Sequence, residues 1–137
     1  MKRTGNRGHG FWEDRAFYRL NIRILEAAGG DWANPPPRAK IVSAGGKFHD
    51  ECASLVAARN RRKGVWGWKD PRNCLTLPVW LGFVDPQDVH IVGVFRRPEQ
   101  VAASLTRREG WPEKRGIELA NDYNRRLLEE IERFLTR

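Results

Sequence analysis

The stretch HIVGVF at positions 90–95 decides the fold class that the sequence predicts. It is a continuous apolar run rich in β-branched residues, of the kind found in parallel strands that are covered on both faces. Pro98 follows shortly and suits the first position of a helix that extends to Arg108. We therefore expect a strand that leads into a helix, with the carboxyl end of the strand at the ligand-binding edge of an open sheet.

Further elements follow from the spacing of apolar residues and from turn residues. A second strand, VWGWK at 65–69, is predicted to end at the turn formed by Asp70 and Pro71. The compact apolar stretch 75–83 suits a short buried helix with Pro78 in its first turns. Apolar residues at helical spacing predict helices over residues 13–28, 48–61, 98–108 and 117–135. Between the first two helices, three consecutive prolines place residues 31–40 in an extended connector.

The order of these elements predicts an α/β fold, with a short parallel sheet of two recognisable strands flanked by helices. At 137 residues the chain is long enough for one domain, so residues 1–137 are expected to form a single domain. Two strands leave edges and apolar faces open to water. The domain is therefore expected to be incomplete, with strands that are missing or that an oligomer or a partner chain supplies.

Composition narrows the classes of partner. Lys and Arg number 25 against 17 Asp and Glu, and the formal net charge of +8 favours phosphate, sulfate or nucleic acid. No run of about 18 apolar residues is present and the first ten residues are polar and basic, so we predict neither a membrane span nor a signal peptide and expect a cytoplasmic protein. Cys52, Cys74 and three scattered histidines predict reduced thiols and no metal site.

The segment from Arg96 to Ser104, directly after the predicted strand at 90–95, has the composition of an anion-binding site. Arg96 offers a planar fork of donors, the following helix presents free N–H groups, and Ser104 adds a hydroxyl two turns into that helix. An ordinary strand-to-helix turn with a solvated arginine and a surface serine would show the same residues. The segment follows the pattern Arg-x-Pro-x-x-Val-Ala-x-Ser, in which x is any residue. The fixed positions of this pattern are Arg96, Pro98, Val101, Ala102 and Ser104.

This pattern resembles the 3′-phosphate-binding segment of sulfotransferases that use 3′-phosphoadenosine-5′-phosphosulfate (PAPS). GWKDPR at 67–72, GFWE at 10–13 and SLTRREG at 104–110 are similar to segments of bacterial members, so the resemblance covers residues 8–123. It implies a P-loop-type three-layer fold, PAPS as co-substrate without a metal, and Arg96 and Ser104 as ligands of the 3′-phosphate.

The resemblance also implies catalytic roles. Lys69 would neutralise charge on the transferring sulfuryl group, and Glu13 would take the proton of the acceptor hydroxyl. Glu13 alternatively offsets a helix dipole. The cytosolic branch has a catalytic histidine where this chain has Pro71, so any base would be Glu13 or Asp70. Asp70 alternatively pairs with Arg72 or caps the next turn.

The sequence departs from the family at both ends. The chain begins downstream of the phosphate-binding loop, and a C-terminal strand with further contacts to PAPS is absent after Arg137, so we expect a truncated member. Gly45, Gly46, Lys47 and Phe48 lack the spacing of such a loop and are expected to be a connector.

Three functions are therefore considered. The first is a sulfotransferase that moves a sulfuryl group from PAPS to a hydroxyl or amine, with catalysis by the chain alone left open. The second is a non-catalytic remnant or binding module that a partner chain completes. The third, which is disfavoured because the charges are dispersed, is a nucleic-acid binder. It is suggested by Arg59, Arg61, Arg62, Lys63, Arg107 and Arg108.

Overall fold

The computed structural model describes residues 14–137, and their regular structure is helical. The chain forms two compact units, which divide between Asp85 and Pro86. The first contains helices α1 to α4, and the second contains α5 and α6. The bounds are α1 Arg15–Ala27, α2 Arg38–Gly45, α3 His49–Asn60, α4 Asn73–Trp80, α5 Pro98–Glu109 and α6 Glu113–Leu135. Helices α1, α3, α5 and α6 lie where the sequence predicts helices.

The predicted α/β fold is wrong for the part of the chain that the structure describes. Residues 65–70 and 89–97, which include both predicted strands, contain no helix, turn or bend, and neither segment pairs with another in a sheet within residues 14–137. Apolar, β-branched composition favours an extended backbone, whereas a sheet also requires a hydrogen-bonded neighbour. The predictions of a short parallel sheet and of a P-loop-type three-layer fold are therefore both wrong for these residues.

Helix α1 has well-defined ends. Asp14 is its N-cap, and one carboxylate oxygen accepts a hydrogen bond from the N–H of Ala16 at 3.0 Å. At the other end Gly29 adopts a φ of 91°, and the N–H of Gly30 donates to the carbonyl of Leu25 at 3.0 Å. This is the glycine-dependent reversal that the sequence predicts after the helix.

Helix α2 was not predicted. It begins directly after Pro37, within the stretch that was expected to be an extended connector, and it carries only a weak apolar stripe. Its last residue, Gly45, lies so close to α4 that an added Cβ would be 2.7 Å from a methyl group of Val79. A 3₁₀ turn, Gly46–Phe48, then leads into α3, so the predicted connector is a short helical turn between two helices.

Aromatic side chains fill the core of the first unit. Phe17 is fully buried and stacks on Trp68 with ring centroids 4.0 Å apart, and Trp80 tilts against it at 4.8 Å. Trp80 belongs to α4, where Pro78 is the sixth residue instead of lying in the first turns as expected. Large aromatic rings contribute much of the buried area of such a small unit, and the stack fixes residues 65–70 against α1.

The second unit is a helical hairpin. Gly110, with a φ of 72°, ends α5, and the chain returns as α6 after a connection of three residues. The helices approach closely at Gly116, where an added Cβ would lie 2.6 Å from the Cα of Ala102. Residues 89–97 precede the hairpin, and Gly93 lies beside Ile131 of α6.

Candidate functional site

Lys69 lies in a rigidly held part of the first unit. Its neighbour Trp68 stacks on Phe17 and donates its indole N–H to Asn73 at 3.1 Å. Its other neighbour, Asp70, is buried. Lys69 itself is exposed and forms no ion pair with any residue of the described part of the chain. The anchored neighbours fix the backbone at Lys69 while its ammonium group remains available to an anion in solvent.

Asn21 organises this region. Its side chain is fully buried in α1, and its amide nitrogen donates to Asp70 at 2.9 Å and to Asn73 at 3.0 Å. Its amide oxygen accepts from the hydroxyl of Thr76 and from the indole N–H of Trp80, both at 2.8 Å. An asparagine amide has two donors and two acceptor sites, so this one is fully satisfied by residues 70–80.

Asp70 is committed to structure. One carboxylate oxygen accepts from Asn21, and the other accepts from the backbone N–H of Arg72 at 2.9 Å and from its guanidinium at 3.2 Å. The predicted Asp70–Arg72 pair is thereby confirmed. The guanidinium of Arg72 also lies over the ring of Tyr18, 4.9 Å from its centroid. Because residues of the protein occupy both carboxylate oxygens of Asp70, neither oxygen is free for an acceptor hydroxyl. Glu13 is the other residue that the resemblance names as a base.

The segment from Arg96 to Ser104 lies in the second unit. Arg96 and Arg97 are exposed immediately before α5 and form no ion pairs within residues 14–137. The N–H groups of Gln100 and Val101 both donate to the carbonyl of Arg97. Pro98 has no N–H, so the N–H of Glu99 is the donor that the first turn leaves for a ligand.

Ser104 lies further along the same helix. It is half-buried and occupies the seventh position of α5, roughly 9 Å along the axis from Pro98 at 1.5 Å per residue. The backbone at Arg96 is tied to α6, because the side-chain amide of Asn124 donates to its carbonyl at 3.4 Å. Arg96 and Ser104 therefore belong to one compact unit. Lys69 belongs to the other, and Glu13 lies outside the described residues.

The basic cluster that suggested nucleic-acid binding is partly committed to structure. Arg59 donates to both carboxylate oxygens of Asp14, and its closest contact is 2.9 Å. Both side chains of this pair are about 85% buried. Arg61, Arg62 and Lys63 are exposed at the end of α3. Asp14 thus caps α1 and anchors α3. The sequence offered a signal for the cap that was missed, because an aspartate directly before an apolar stripe is a typical helix N-cap.

The two cysteines are not suited to nucleophilic chemistry. Burial raises the pKa of Cys52 to about 11, and burial raises that of Cys74 to about 11. Because the thiolate is the reactive species, both thiols remain protonated near neutral pH. Among residues 14–137 no group of three His, Cys, Asp or Glu side chains could hold a metal ion.

We expect both thiols to react with iodoacetamide at pH 8 about 100-fold more slowly in the folded protein than in 6 M guanidinium chloride. A thiol with a pKa of about 11 has about 100-fold less thiolate at this pH than an ordinary cysteine. Mass spectrometry of time-quenched samples would measure the two rates separately. Modification at the unfolded rate would contradict the buried placement of Cys52 or the half-buried placement of Cys74. A cysteine-containing peptide in the same buffers corrects for the intrinsic effect of guanidinium.

No protein-family model matches the chain, and no curated protein or solved structure matches it either. Within residues 14–137 no helix has both the length and the apolar character that crossing a membrane requires.

Proposed function

We propose that the segment Arg96 to Ser104 binds the 3′-phosphate of PAPS and that the chain takes part in transfer of the sulfuryl group to a hydroxyl or amine. The observation that carries the proposal is the state of Arg96. Its carbonyl is held by Asn124 at 3.4 Å, whereas its side chain is exposed and forms no ion pair within residues 14–137. A fixed backbone with an uncommitted guanidinium suits bidentate binding of phosphate.

The electrostatics of α5 support the same site. Two guanidinium groups, from Arg96 and Arg97, precede a helix of 12 residues, whose N-terminus carries partial positive charge. The N–H of Glu99 is available to an oxygen of the ligand. Ser104 lies roughly 9 Å along the helix axis from Pro98, at a rise of about 1.5 Å per residue. A phosphate placed beside the first two turns of α5 is therefore within reach of both the Arg96 side chain and the Ser104 hydroxyl. The match of these residues to the sulfotransferase pattern agrees with this placement.

In this proposal the other two residues act on the reacting groups. Lys69 supplies positive charge to the sulfuryl group as it leaves PAPS, which stabilises charge that develops in the transition state. Glu13 accepts the proton of the acceptor hydroxyl. Asp70 and Asn21 have a positioning role, because they hold the backbone on the C-terminal side of Lys69.

Calorimetric titration with adenosine 3′,5′-bisphosphate (PAP), the product of sulfuryl transfer, tests the site directly. We expect one-to-one binding that Arg96→Ala weakens about 10- to 100-fold, because a charge-assisted hydrogen-bond pair to phosphate is lost. Ser104→Ala should weaken it about 3- to 10-fold, since a hydroxyl contributes a neutral donor. AMP, which lacks the 3′-phosphate, should bind equally to the wild-type chain and to the Arg96→Ala chain.

Arg107→Ala is the matched control. It removes the same charge from the other end of α5, where Arg107 is exposed and lies in the last turn. It should change PAP affinity less than about 2-fold at moderate salt, because exposed charges a Debye length apart are screened. Equal losses in the Arg96 and Arg107 variants would indicate attraction to net charge and would contradict the site. So would a folded wild-type chain that fails to bind PAP.

A further inference from the structure

Residues 60–66 of the first unit form a closed loop, which we call the basic loop. The indole N–H of Trp66 donates to the side chain of Asn60 at 3.1 Å and so joins the two ends of the loop. Gly64, with a φ of 86°, provides the reversal of the chain between them. Residues 61–65 are exposed. The loop therefore presents three consecutive basic side chains, those of Arg61, Arg62 and Lys63.

Contacts within the first unit anchor both ends of the basic loop to the start of α1. Directly before the loop, Arg59 donates to both carboxylate oxygens of Asp14, which is the N-cap of α1. At the other end of the loop, the ring of Trp66 stacks on that of Phe17 with centroids 5.8 Å apart. The basic loop is thus held beside the first turn of α1, whose first residue, Arg15, is also exposed.

The exposed cations at this end of the unit have no carboxylate partner. Four side chains form no ion pair with any residue in 14–137, and they are those of Arg15, Arg61, Arg62 and Lys63. Like charges in consecutive positions repel one another. Arg59 already lies in the last turn of α3 and offsets the dipole of that helix, an effect that fades beyond the last turn. The helix dipole therefore does not account for the three basic residues that follow, whereas a polyanion would satisfy them together.

Trp66 adds a flat ring beside these cations. The side chain is half-buried, and its ring lies nearly parallel to those of Phe17 and Trp68, at interplanar angles of 27° and 19°. Cations next to a fixed aromatic ring suit single-stranded nucleic acid, whose phosphates bind the cations and whose unstacked bases stack on the ring. A lipid surface would require several exposed apolar side chains, and the basic loop offers Val65 as its one fully exposed apolar residue.

We infer that the basic loop, together with Arg15, binds single-stranded nucleic acid, with the cations on successive phosphates and Trp66 stacked on a base. This surface shares no residue with the proposed phosphate site before α5 and does not use Lys69. The inference is therefore independent of sulfuryl transfer. Of the basic residues that suggested nucleic-acid binding in the sequence, Arg59 anchors the loop and does not contact the ligand.

Fluorescence anisotropy of a labelled 12-nucleotide thymidine oligonucleotide, titrated with the full chain at several salt concentrations, tests the surface. Four phosphate contacts predict a slope of about −3 for log affinity against log salt, at about −0.7 per contact with a single strand. The triple variant R61A/R62A/K63A should reduce the slope to about −1, because one of the four contacts remains. Its affinity at low salt should be at least about 30-fold weaker than that of the wild-type chain.

Lys63→Ala and Lys47→Ala form a matched pair of variants. Lys47 lies directly before Phe48 and α3, and Lys63 follows α3, so the two exposed lysines are separated by a helix of 12 residues, roughly 18 Å long. Lys63→Ala should weaken binding about 3- to 10-fold, because one phosphate contact is lost. Lys47→Ala should change it less than about 2-fold, since it lies beyond a Debye length from the basic loop. Circular dichroism confirms that each variant retains its helices.

A matched ligand tests the role of Trp66 without changing the protein. An abasic oligonucleotide of the same length keeps the phosphates and lacks the bases. We expect it to bind at least about 5-fold more weakly than the thymidine oligonucleotide, with the same salt slope, because base stacking on the aromatic ring is lost. A duplex of thymidine and adenosine strands should also bind more weakly, since its bases are stacked on each other.

Three results would overturn the inference. The first is an equal loss of affinity in the Lys63 and Lys47 variants, which would indicate attraction to net charge. The second is equal affinity for the abasic and thymidine oligonucleotides, which would indicate that any polyanion binds. The third is a folded wild-type chain that does not bind the thymidine oligonucleotide. If that chain bound vesicles of anionic phospholipid instead, the basic loop would be a membrane-contacting surface.

Discussion

Replacing Asn21 by leucine is expected to lower the free energy of unfolding of the first unit by about 3 to 5 kcal/mol. Leucine has the same branching and the same number of side-chain heavy atoms as asparagine, so the substitution leaves no cavity. The loss comes from the broken hydrogen bonds, and the bulkier methyl groups add some overpacking. The substitution leaves buried polar atoms of Asp70 and Trp80 without the partner that Asn21 supplied. Urea denaturation followed by tryptophan fluorescence measures the change, because Trp80 lies in the core of this unit.

Two further variants show how much of this loss comes from the hydrogen bonds of Asn21. Thr76→Val keeps the shape of the side chain and removes one of the four hydrogen bonds of Asn21, so we expect a loss of about 1 to 2 kcal/mol. Asn60→Ala removes an exposed asparagine that accepts one hydrogen bond from Trp66, and we expect a loss below about 1 kcal/mol. If Asn21→Leu were no more harmful than Asn60→Ala, the network around Asn21 would not hold the unit together.

Gly116→Ala should destabilise the hairpin by about 2 to 3 kcal/mol, although alanine is the better helix former. The new methyl group would meet the Cα of Ala102 at 2.6 Å and its Cβ at 2.8 Å. Backbone atoms cannot rotate away as the end of a flexible side chain can, so α5 and α6 would have to separate. Urea denaturation followed by far-ultraviolet circular dichroism measures the loss of helix.

Gly46→Ala provides the comparison. Gly46 has the helical φ of −59° and ψ of −30°, and an added Cβ would meet no atom within 4 Å in the described chain. The same chemical change should therefore be neutral or stabilise by up to about 1 kcal/mol, because alanine restricts the unfolded chain. A Gly116→Ala variant as stable as Gly46→Ala would show that the helices do not approach as closely as the structure has them.

The helices were predictable where the pattern is local. In α6 the apolar residues recur over 23 residues, and in α1 the stripe ends at two glycines, so the sequence specifies both the period and an end. Helix α2 has no comparable stripe and starts after three prolines, and proline occurs both in connectors and at helix starts. Its position depends on packing against α4, which involves Gly45 and Val79 and cannot be read from eight residues.

The strands failed for a different reason. Residues 65–70 and 89–97 have the composition of strands, but the predicted strands are wrong, because neither segment pairs with a neighbour within residues 14–137. Pairing is a property of two segments, and β-branched composition does not say which segment, or which chain, supplies the neighbour. In the first unit residues 65–70 are held instead by stacking of Trp68 on Phe17, a contact between residues far apart in the sequence.

The candidate site was predictable only in part. The order of Arg96, Pro98 and Ser104 indicated an arginine before a helix and a serine in its second turn, and the structure places them so. The central role of Asn21 was missed, although its position offered a signal. It lies four residues after Phe17 and four before Leu25 on the buried face of α1, where a polar side chain requires buried partners.

The four hydrogen bonds of Asn21 also restrict how the gene can change. A single nucleotide change in an asparagine codon gives Asp, His, Ile, Lys, Ser, Thr or Tyr. None of these side chains presents two N–H donors and a doubly accepting oxygen within the same volume. Glutamine has the amide but is longer by one methylene group, and its codons are two nucleotide changes away. Any amino-acid change that a single nucleotide substitution makes at codon 21 should therefore be destabilising, because it leaves a buried group of residues 70–80 without its partner.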